Sequence, residues 1–379
     1  MSNDLQQQPM TSQAPSTENN SNHTVCQDSI WMQYALDQAK TAYYRTKPNP
    51  AVGCVIVKNG EIIGRGATAQ VGGPHAEVFA LNQAGEQAEG ATAYVTLEPC
   101  AHYGRTPPCA EALVKAKVAR VVMAMLDPNP LVAGKGKDIL EAAGIMTRVG
   151  VLDHQAREYN QGFLKVMAGG LPYVRLKIAS SLDGRTAMAS GESKWITGEQ
   201  ARLDVQHWRA RSAAIITGID TVLADDCQLN VRALPDHDKI DQVVQPKRIV
   251  LDRQGRLPLT AKILQQPQSV MVMGPFRDEL DKLGVVQFDI QPLAVLLKLL
   301  AQKFHLYDIM VEAGATLTTA FLQEQLVDEM ICYIAPTLLG QAARSMFNAQ
   351  FSFMAERLNF NLVDVTQVGQ DIRLRLTPI

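Results

Sequence analysis

Residues 75–109 read HAEVFALNQAGEQAEGATAYVTLEPCAHYGRTPPC, and the way this stretch folds decides the rest of the N-terminal half. His75-Ala76-Glu77 follows the turn formers Gly72-Gly73-Pro74 and opens a run with helical apolar spacing. AYVTLEP predicts a strand that delivers Pro99-Cys100, and Cys109 stands directly before a second predicted helix, AEALVKAKV. One imidazole and two thiolates give a tetrahedral Zn²⁺ three protein ligands and leave its fourth position to water. Such a site lowers the pKa of its water from ~15.7 towards ~7. Glu77 is not a ligand in this reading; it is the general acid/base beside the metal. A purely structural zinc needs a fourth ligand. Cys54 lies within the apolar run AVGCVIV and reads as core, Cys26 lies in or beside the N-terminal tail, and His102 is the remaining nearby candidate.

Working outward, Trp31, Ala35, Ala39 and Ala42 predict a helix from Asp28, with Ser29 as its cap. AVGCVIV, the turn around Asn59-Gly60 and IIGRG predict a β-hairpin, because Asn-Gly suits a type I′ turn. RVVMAM, a helix near 137–143 and a strand near 145–149 continue an alternation that implies an α/β layered sheet. Turn formers cluster at Ala168-Gly169-Gly170-Leu171-Pro172. A second α/β series follows: strands in YVRLKIA, RIVLD, SVMVMG and YDIMVEAG, with helices near 197–211 and 317–326. The expectation is a disordered tail over 1–25, one domain over 26–170 and an unlike one over 171–379. A chain of 379 residues favours two cores over one.

Composition excludes several classes. The formal net charge is −2, from 36 basic and 38 acidic side chains, so no general field draws the chain to nucleic acid. No apolar run is long enough to span a membrane. The first residues carry neither the basic start nor the apolar stretch of a secretory signal, and six cysteines without export imply reduced thiols. A cytoplasmic enzyme acting on a small molecule is the expectation.

His-x-Glu with Pro-Cys and a later cysteine is the pattern of zinc deaminases. The cysteines usually lie two residues apart; here residues 101–108 intervene and carry His102 and Arg105, candidates to contact a substrate phosphate or ribose. With KPNPAVGCVIV before it, HAE and PCAHYGRTPPC strongly resemble the bifunctional riboflavin-biosynthesis family, in which a pyrimidine deaminase is joined to a pyrimidine reductase. The resemblance runs from about residue 28 through LKIASSLDGRTA, SGESKWITG, TGIDTVLADDCQLNVR and VEAGATL. It implies a cytidine-deaminase-like domain followed by a dihydrofolate-reductase-like domain. It also implies hydrolysis of the 2-amino group of 2,5-diamino-6-ribosylamino-4(3H)-pyrimidinone 5′-phosphate, then reduction of the ribosyl chain to ribityl by NADPH. The family pattern assigns a pyrimidine contact to Asn49 and substrate contacts to Ser193, Arg209, Leu229, Arg232 and Glu312. It assigns cofactor contacts to Ala179, Trp195, Thr221, Asp225 and the segment Gly314, Ala315, Thr316, Leu317. It implies a homo-oligomer, dimer or tetramer.

Read from its residues alone, the second half says less. No Gly-x-Gly-x-x-Gly follows its first strand, so a Rossmann dinucleotide site is not supported. Gly314 precedes a predicted helix whose N–H groups suit a phosphate. Arg209 and Arg232 suit a dianionic phosphate, and Lys177 and Asp183 are further candidates to face the site. Two other readings stay open here: a nucleic-acid base deaminase of the tRNA type with an accessory domain, and a non-catalytic module built on structural zinc.

Overall fold

The computed structural model describes residues 18–103, 107–130, 133–234 and 237–379. The first half is a five-stranded sheet of β1 (Gly53–Lys58), β2 (Glu61–Ala67), β3 (Thr92–Val95), β4 (Arg120–Met123) and β5 (Met146–Val149), ordered β2-β1-β3-β4-β5. β2, β1 and β3 pair antiparallel; β3, β4 and β5 pair parallel. Around it lie α1 (Glu18–Ala42), α2 (Ala76–Ala84), α3 (Cys109–Lys115), α4 (Lys135–Ala142), α5 (Asp153–Tyr159) and α6 (Gln161–Met167). The predicted hairpin turns at Asn59 and Gly60, both at positive φ, with Lys58 opposite Glu61. That is the backbone an Asn-Gly type I′ turn requires.

Two features place α2, and with it His75 and Glu77. A Cβ at Gly64 would sit 2.1 Å from the Ala80 carbonyl oxygen, and one at Gly66 would sit 2.2 Å from that of Ala76. The helix therefore rests directly on the β2 backbone, which any larger residue would prevent.

α1 begins at Glu18, not at Asp28. Residues 18–25, expected in the tail, are helical, because neither proline nor glycine interrupts the chain between Pro15 and Pro48. Ser29 thus lies inside the helix, not at its cap. The strand expected to reach Cys100 stops at Val95; the Thr96 amide and hydroxyl instead bond to Gly53, and Pro99 has no N–H to give a ladder.

The second half is a nine-stranded sheet. Its members in chain order include β6 (Tyr173–Ser181), β8 (Ala214–Gly218), β9 (Lys247–Leu251), β10 (Val270–Met273), β11 (Val286–Phe288), β12 (Asp308–Val311) and β13 (Glu329–Ala335). β15 (Phe360–Val368) and β16 (Asp371–Pro378) complete it, while β7 (Arg185–Ala187) and β14 (Arg344–Ser345) form a separate two-stranded ribbon. The order is β11-β10-β9-β8-β12-β6-β13-β16-β15, parallel as far as β13 and antiparallel at the final hairpin. Buried Val, Ile, Leu and Met fill the central strands, as parallel strands covered on both faces demand. The covering helices are α7 (Glu199–Arg211), α8 (Ile219–Asp225), α9 (Asp278–Lys282), α10 (Leu293–Phe304) and α11 (Ala315–Gln323).

Buried ion pairs tie elements together. Asp28 on α1 accepts both guanidinium nitrogens of Arg120 at 2.8 and 2.7 Å, Arg148 at 2.7 Å and the Tyr94 hydroxyl at 2.9 Å. Burial pushes the Asp28 carboxyl up, but the bonds from Arg120 and Tyr94 more than offset this and hold its pKa below the ordinary value. Asp28→Ala strands two arginines and should cost about 3–5 kcal/mol, read by urea denaturation at neutral pH. A depressed folded pKa makes this stabilisation complete above about pH 4, and it fades as acid protonates the group.

Candidate active sites

In the first half, His75 is the residue before α2, Cys109 is the first residue of α3, and Cys100 lies in the irregular segment between β3 and α3. His75 Nδ1 lies 3.3 Å from Cys109 Sγ and 3.6 Å from Cys100 Sγ. All three ligand atoms fall within 4.8 Å of one another. Zinc–sulfur and zinc–nitrogen bonds at a tetrahedral angle set such nitrogen–sulfur edges at about 3.6 Å, so the donor set fits Zn²⁺. Among the described residues no fourth His, Cys, Asp or Glu joins the cluster, which leaves the open position of a catalytic site.

The electrostatics agree. Bonds from Cys109 and His75 bring the Cys100 thiol down to about 4, and the Cys109 amide donates to the same sulfur at 3.3 Å. That neighbouring thiolate, together with burial, pushes the Cys109 thiol up. Glu77, in the first turn of α2, is 3% exposed; burial, with the Cys100 thiolate beside it, raises its carboxyl to about 7. Cys54 is fully buried beside Glu77 and belongs to the core.

His102 is exposed and close enough to Asp127 for their charges to interact. Arg105 lies outside the described residues. Asn49 sits on the turn before β1 and borders a small cavity of about 30 Å³ between the halves, with Tyr43, Lys47, Asn160 and Arg211. Sequence reasoning missed Glu98. Its buried carboxylate accepts the amides of Asp127 and Gly134 at 3.0 Å and of Lys137 at 3.1 Å, which holds those three residues against the one preceding Pro99-Cys100. Three amide donors on one carboxylate follow from the fold and leave no mark in the sequence.

In the second half, a cleft of about 1770 Å³ opens beside the β6, β8 and β12 strand ends. Ser193, Arg209, Leu229, Arg232 and Glu312 line it, as do Ala179, Trp195, Thr221, Asp225 and the run from Gly314 to Leu317. Trp195 is 69% exposed on the cleft wall, with the Arg202 guanidinium 4.5 Å over its ring. The two arginines differ. Arg209 is spent on Glu312, to which it donates at 2.6 and 2.9 Å, with both side chains nearly buried. Burial raises the Glu312 carboxyl, yet Arg209 and Lys177 outweigh it and keep the group ionised. Arg232 is exposed, and its guanidinium donates to the side chains of Gln228 at 3.4 Å and Asn230 at 3.2 Å, with no carboxylate partner among the described residues. Lys177 borders the same space, and burial lowers its amine pKa. Asp183 does not line the cleft. Bonds from Ser181 and the Leu339 and Gly340 amides bring it down to about 2 and commit it to a turn. Sequence reasoning missed Arg253, Arg256 and Lys262, basic groups at the cleft rim, because a lone loop arginine or lysine carries no pattern.

These two centres define a class: a hydrolytic zinc deaminase joined in one chain to a reductase with room for a dinucleotide. Residues 26–125 match the family described as the cytidine and deoxycytidylate deaminase zinc-binding region, and residues 172–374 match the RibD C-terminal domain. The chain is 49% identical over 365 residues to the riboflavin biosynthesis protein RibD of Haemophilus influenzae, covering 93% of this chain and 98% of that one. It is 48% identical to the RibD of Escherichia coli, covering 92% and 99%. Among solved structures, Acinetobacter baumannii RibD superposes with a TM-score of 0.91 at 67% identity, covering 94% of this chain and 99% of that one. A Thermotoga maritima protein described as a diaminohydroxyphosphoribosylaminopyrimidine deaminase/5-amino-6-(5-phosphoribosylamino)uracil reductase superposes with a TM-score of 0.84 at 30% identity, covering 94% and 100%. The chain belongs to the RibD family. It is a bifunctional deaminase and reductase of riboflavin biosynthesis, with a cytidine-deaminase-like domain ahead of a dihydrofolate-reductase-like one and with Zn²⁺ and NADPH as cofactors. Neither the nucleic-acid deaminase nor the structural-zinc reading is favoured beside this membership.

The buried cluster behind the metal ligands is large and apolar. Removal of zinc by dipicolinate should therefore abolish ammonia release while far-UV circular dichroism stays close to that of the untreated protein; collapse of the helical signal on chelation would make the metal structural.

Proposed function

We propose that residues 26–170 deaminate 2,5-diamino-6-ribosylamino-4(3H)-pyrimidinone 5′-phosphate and that residues 171–379 then reduce the ribosyl chain of the product to ribityl. The observation that carries this reading is the presence, in one chain, of an open His/Cys/Cys site beside a buried carboxylate and of a cleft large enough for a dinucleotide and a phosphorylated sugar together. His75, Cys100 and Cys109 would hold Zn²⁺, which when bound would supply the Lewis acidity that makes water nucleophilic at neutral pH. Glu77 takes a proton from that water on a carboxyl oxygen and passes it to the departing 2-amino nitrogen, so that ammonia leaves and oxygen takes its place. Burial raises the proton affinity of this carboxyl, which suits a group that takes a proton and then returns it. Asn49, His102 and Arg105 orient the pyrimidine and its phosphate in this reading.

In the reductase half, NADPH supplies the hydride. The open Arg232 guanidinium takes the substrate phosphate. The Arg209–Glu312 pair, whose arginine also donates to the Asn230 carbonyl, presents a rigid carboxylate to the sugar hydroxyls together with Ser193 and Leu229 in this reading. Ala179, Trp195, Thr221, Asp225 and the Gly314–Leu317 segment hold the dinucleotide, whose phosphate suits the N-terminus of α11. Lys177, which borders the cleft with Glu312, exchanges the proton in this reading.

The protein acts in the cytoplasm as a homo-oligomer in this reading. Leu362, Val365, Phe353 and Met354 are exposed on and beside the final hairpin, an apolar strip suited to a second copy. No helix among the described residues is long and apolar enough to cross a membrane.

A coupled assay tests the reading: ammonia release followed by NADPH oxidation, with about one zinc per chain, supports it, and absence of both signals in zinc-loaded protein refutes the substrate. Glu77→Ala should keep its zinc and lose deamination by about 10²–10⁴-fold, yet oxidise NADPH normally on the deaminated intermediate. Arg232→Ala should raise the reductase KM by about tenfold or more, in keeping with loss of a charge-assisted phosphate contact, and leave ammonia release unchanged.

A further inference from the structure

The turn between α1 and β1, residues 43–52, is one of the places where the two halves touch. Lys47 reaches out of it into the reductase half. Its Nζ donates to three main-chain carbonyls, Ala210 at 2.7 Å, Ser212 at 2.8 Å and Val244 at 3.0 Å. An ammonium has three protons, and each meets one oxygen. Two of those oxygens belong to the last turn and cap of α7, where unpaired carbonyls and the helix dipole favour a cation. Neighbours reinforce the contact. The Val244 amide donates to the Tyr44 carbonyl at 2.9 Å, and Arg45 donates to the Gln242 side chain at 3.1 Å. The Tyr44 hydroxyl lies 2.5 Å from His207 Nδ1, and burial pushes that ring's pKa down to about 3.

Past the turn, a second clamp closes from the deaminase half. Buried Asn160 accepts the Ala51 amide at 2.8 Å and donates to the Ala51 carbonyl at 3.0 Å. Asn49 lies midway, two residues from each clamp, with its amide on the Thr46 carbonyl at 2.8 Å. We propose that Lys47 is a positioning residue for deamination: anchored on reductase-half carbonyls, it fixes the turn that presents Asn49 to the pyrimidine. The deaminase site is then completed by the other domain. The inference rests on the reading of Asn49 as a substrate contact.

The test is steady-state kinetics of both half-reactions in the full-length, zinc-loaded protein, with Lys47→Met, Lys47→Arg and Asn49→Ala compared. Lys47→Met keeps the length of the side chain and loses its three donors. Its deaminase KM should rise about tenfold or more, since small displacements of a binding group are costly. Its kcat, zinc content and reductase kinetics should stay within about twofold, the signature of lost ground-state binding. Lys47→Arg retains donors for part of the carbonyl set and should fall between wild type and Lys47→Met. Should Lys47→Met fail to fold, the KM of the arginine variant carries the test. An unchanged deaminase KM in the folded variants overturns the proposal. So does a parallel loss of both activities and of zinc, which would make the contact merely structural. Asn49→Ala separates the two readings: if it leaves deamination untouched, Asn49 was misassigned; if it raises KM while the Lys47 variants do not, the positioning role alone fails.

Discussion

The arrangement of the two halves depends on one buried guanidinium. Arg175 on β6 is 1% exposed and donates to Glu329 at 3.0 Å, to Asp308 at 2.8 Å and to the Gln161 side chain, with its plane over the Tyr173 ring. Those partners stand on β13, β12 and α6, the central strands of one sheet and the last helix of the other half. Arg375 takes the second oxygen of Glu329 and also reaches Glu158 on α5. A charge so deep costs several kcal/mol to desolvate and is tolerated only when its donors are met. Here they are met by groups on both sides of the domain boundary, so the geometry that satisfies Arg175 is also the geometry that seats one domain on the other. Lys47 and Lys165, the latter 2.7 Å from Asp328, repeat the pattern on either side.

Sequence reasoning was strongest where chemistry restricts the residue type. Only a few side chains bind zinc, and only Asn-Gly-like pairs make a tight hairpin, so His75, Cys100, Cys109 and the Asn59-Gly60 turn could be read directly. It was weakest where an ordinary surface residue has been put to another use. Arg175, Lys47 and Glu98 look like any solvated charge, and their burial is a product of tertiary packing with no local pattern. Arg209 and Arg232 looked alike, yet one is locked to a carboxylate and the other is open, a difference set by Glu312 a hundred residues away. α5 and α6 are too short to show a period, and the start of α1 carries polar residues that composition alone assigns to a tail.

The two sites also differ in how they are built. The deaminase centre gathers its groups from the N-termini of α2 and α3 and the segment after β3, within about 35 residues of sequence, a span set by the ligand positions. The reductase cleft draws on β6, the 191–197 loop, α7, α8 and the β12–α11 turn, spread across the whole second half. Local assembly leaves a motif; dispersed assembly leaves isolated residues that only the fold unites.

The seating of α2 on Gly64 and Gly66 has a consequence for how this protein can change over time. The Glu77 carboxylate is placed by a helix whose Ala76 and Ala80 carbonyls lie directly against Gly66 and Gly64 of the strand. A side chain added at either glycine would meet those carbonyls directly, whereas a substitution elsewhere in the core acts on Glu77 only through side-chain packing. Accumulating substitutions would be absorbed around the deaminase site, and the two glycines would be the points at which the lineage could not drift.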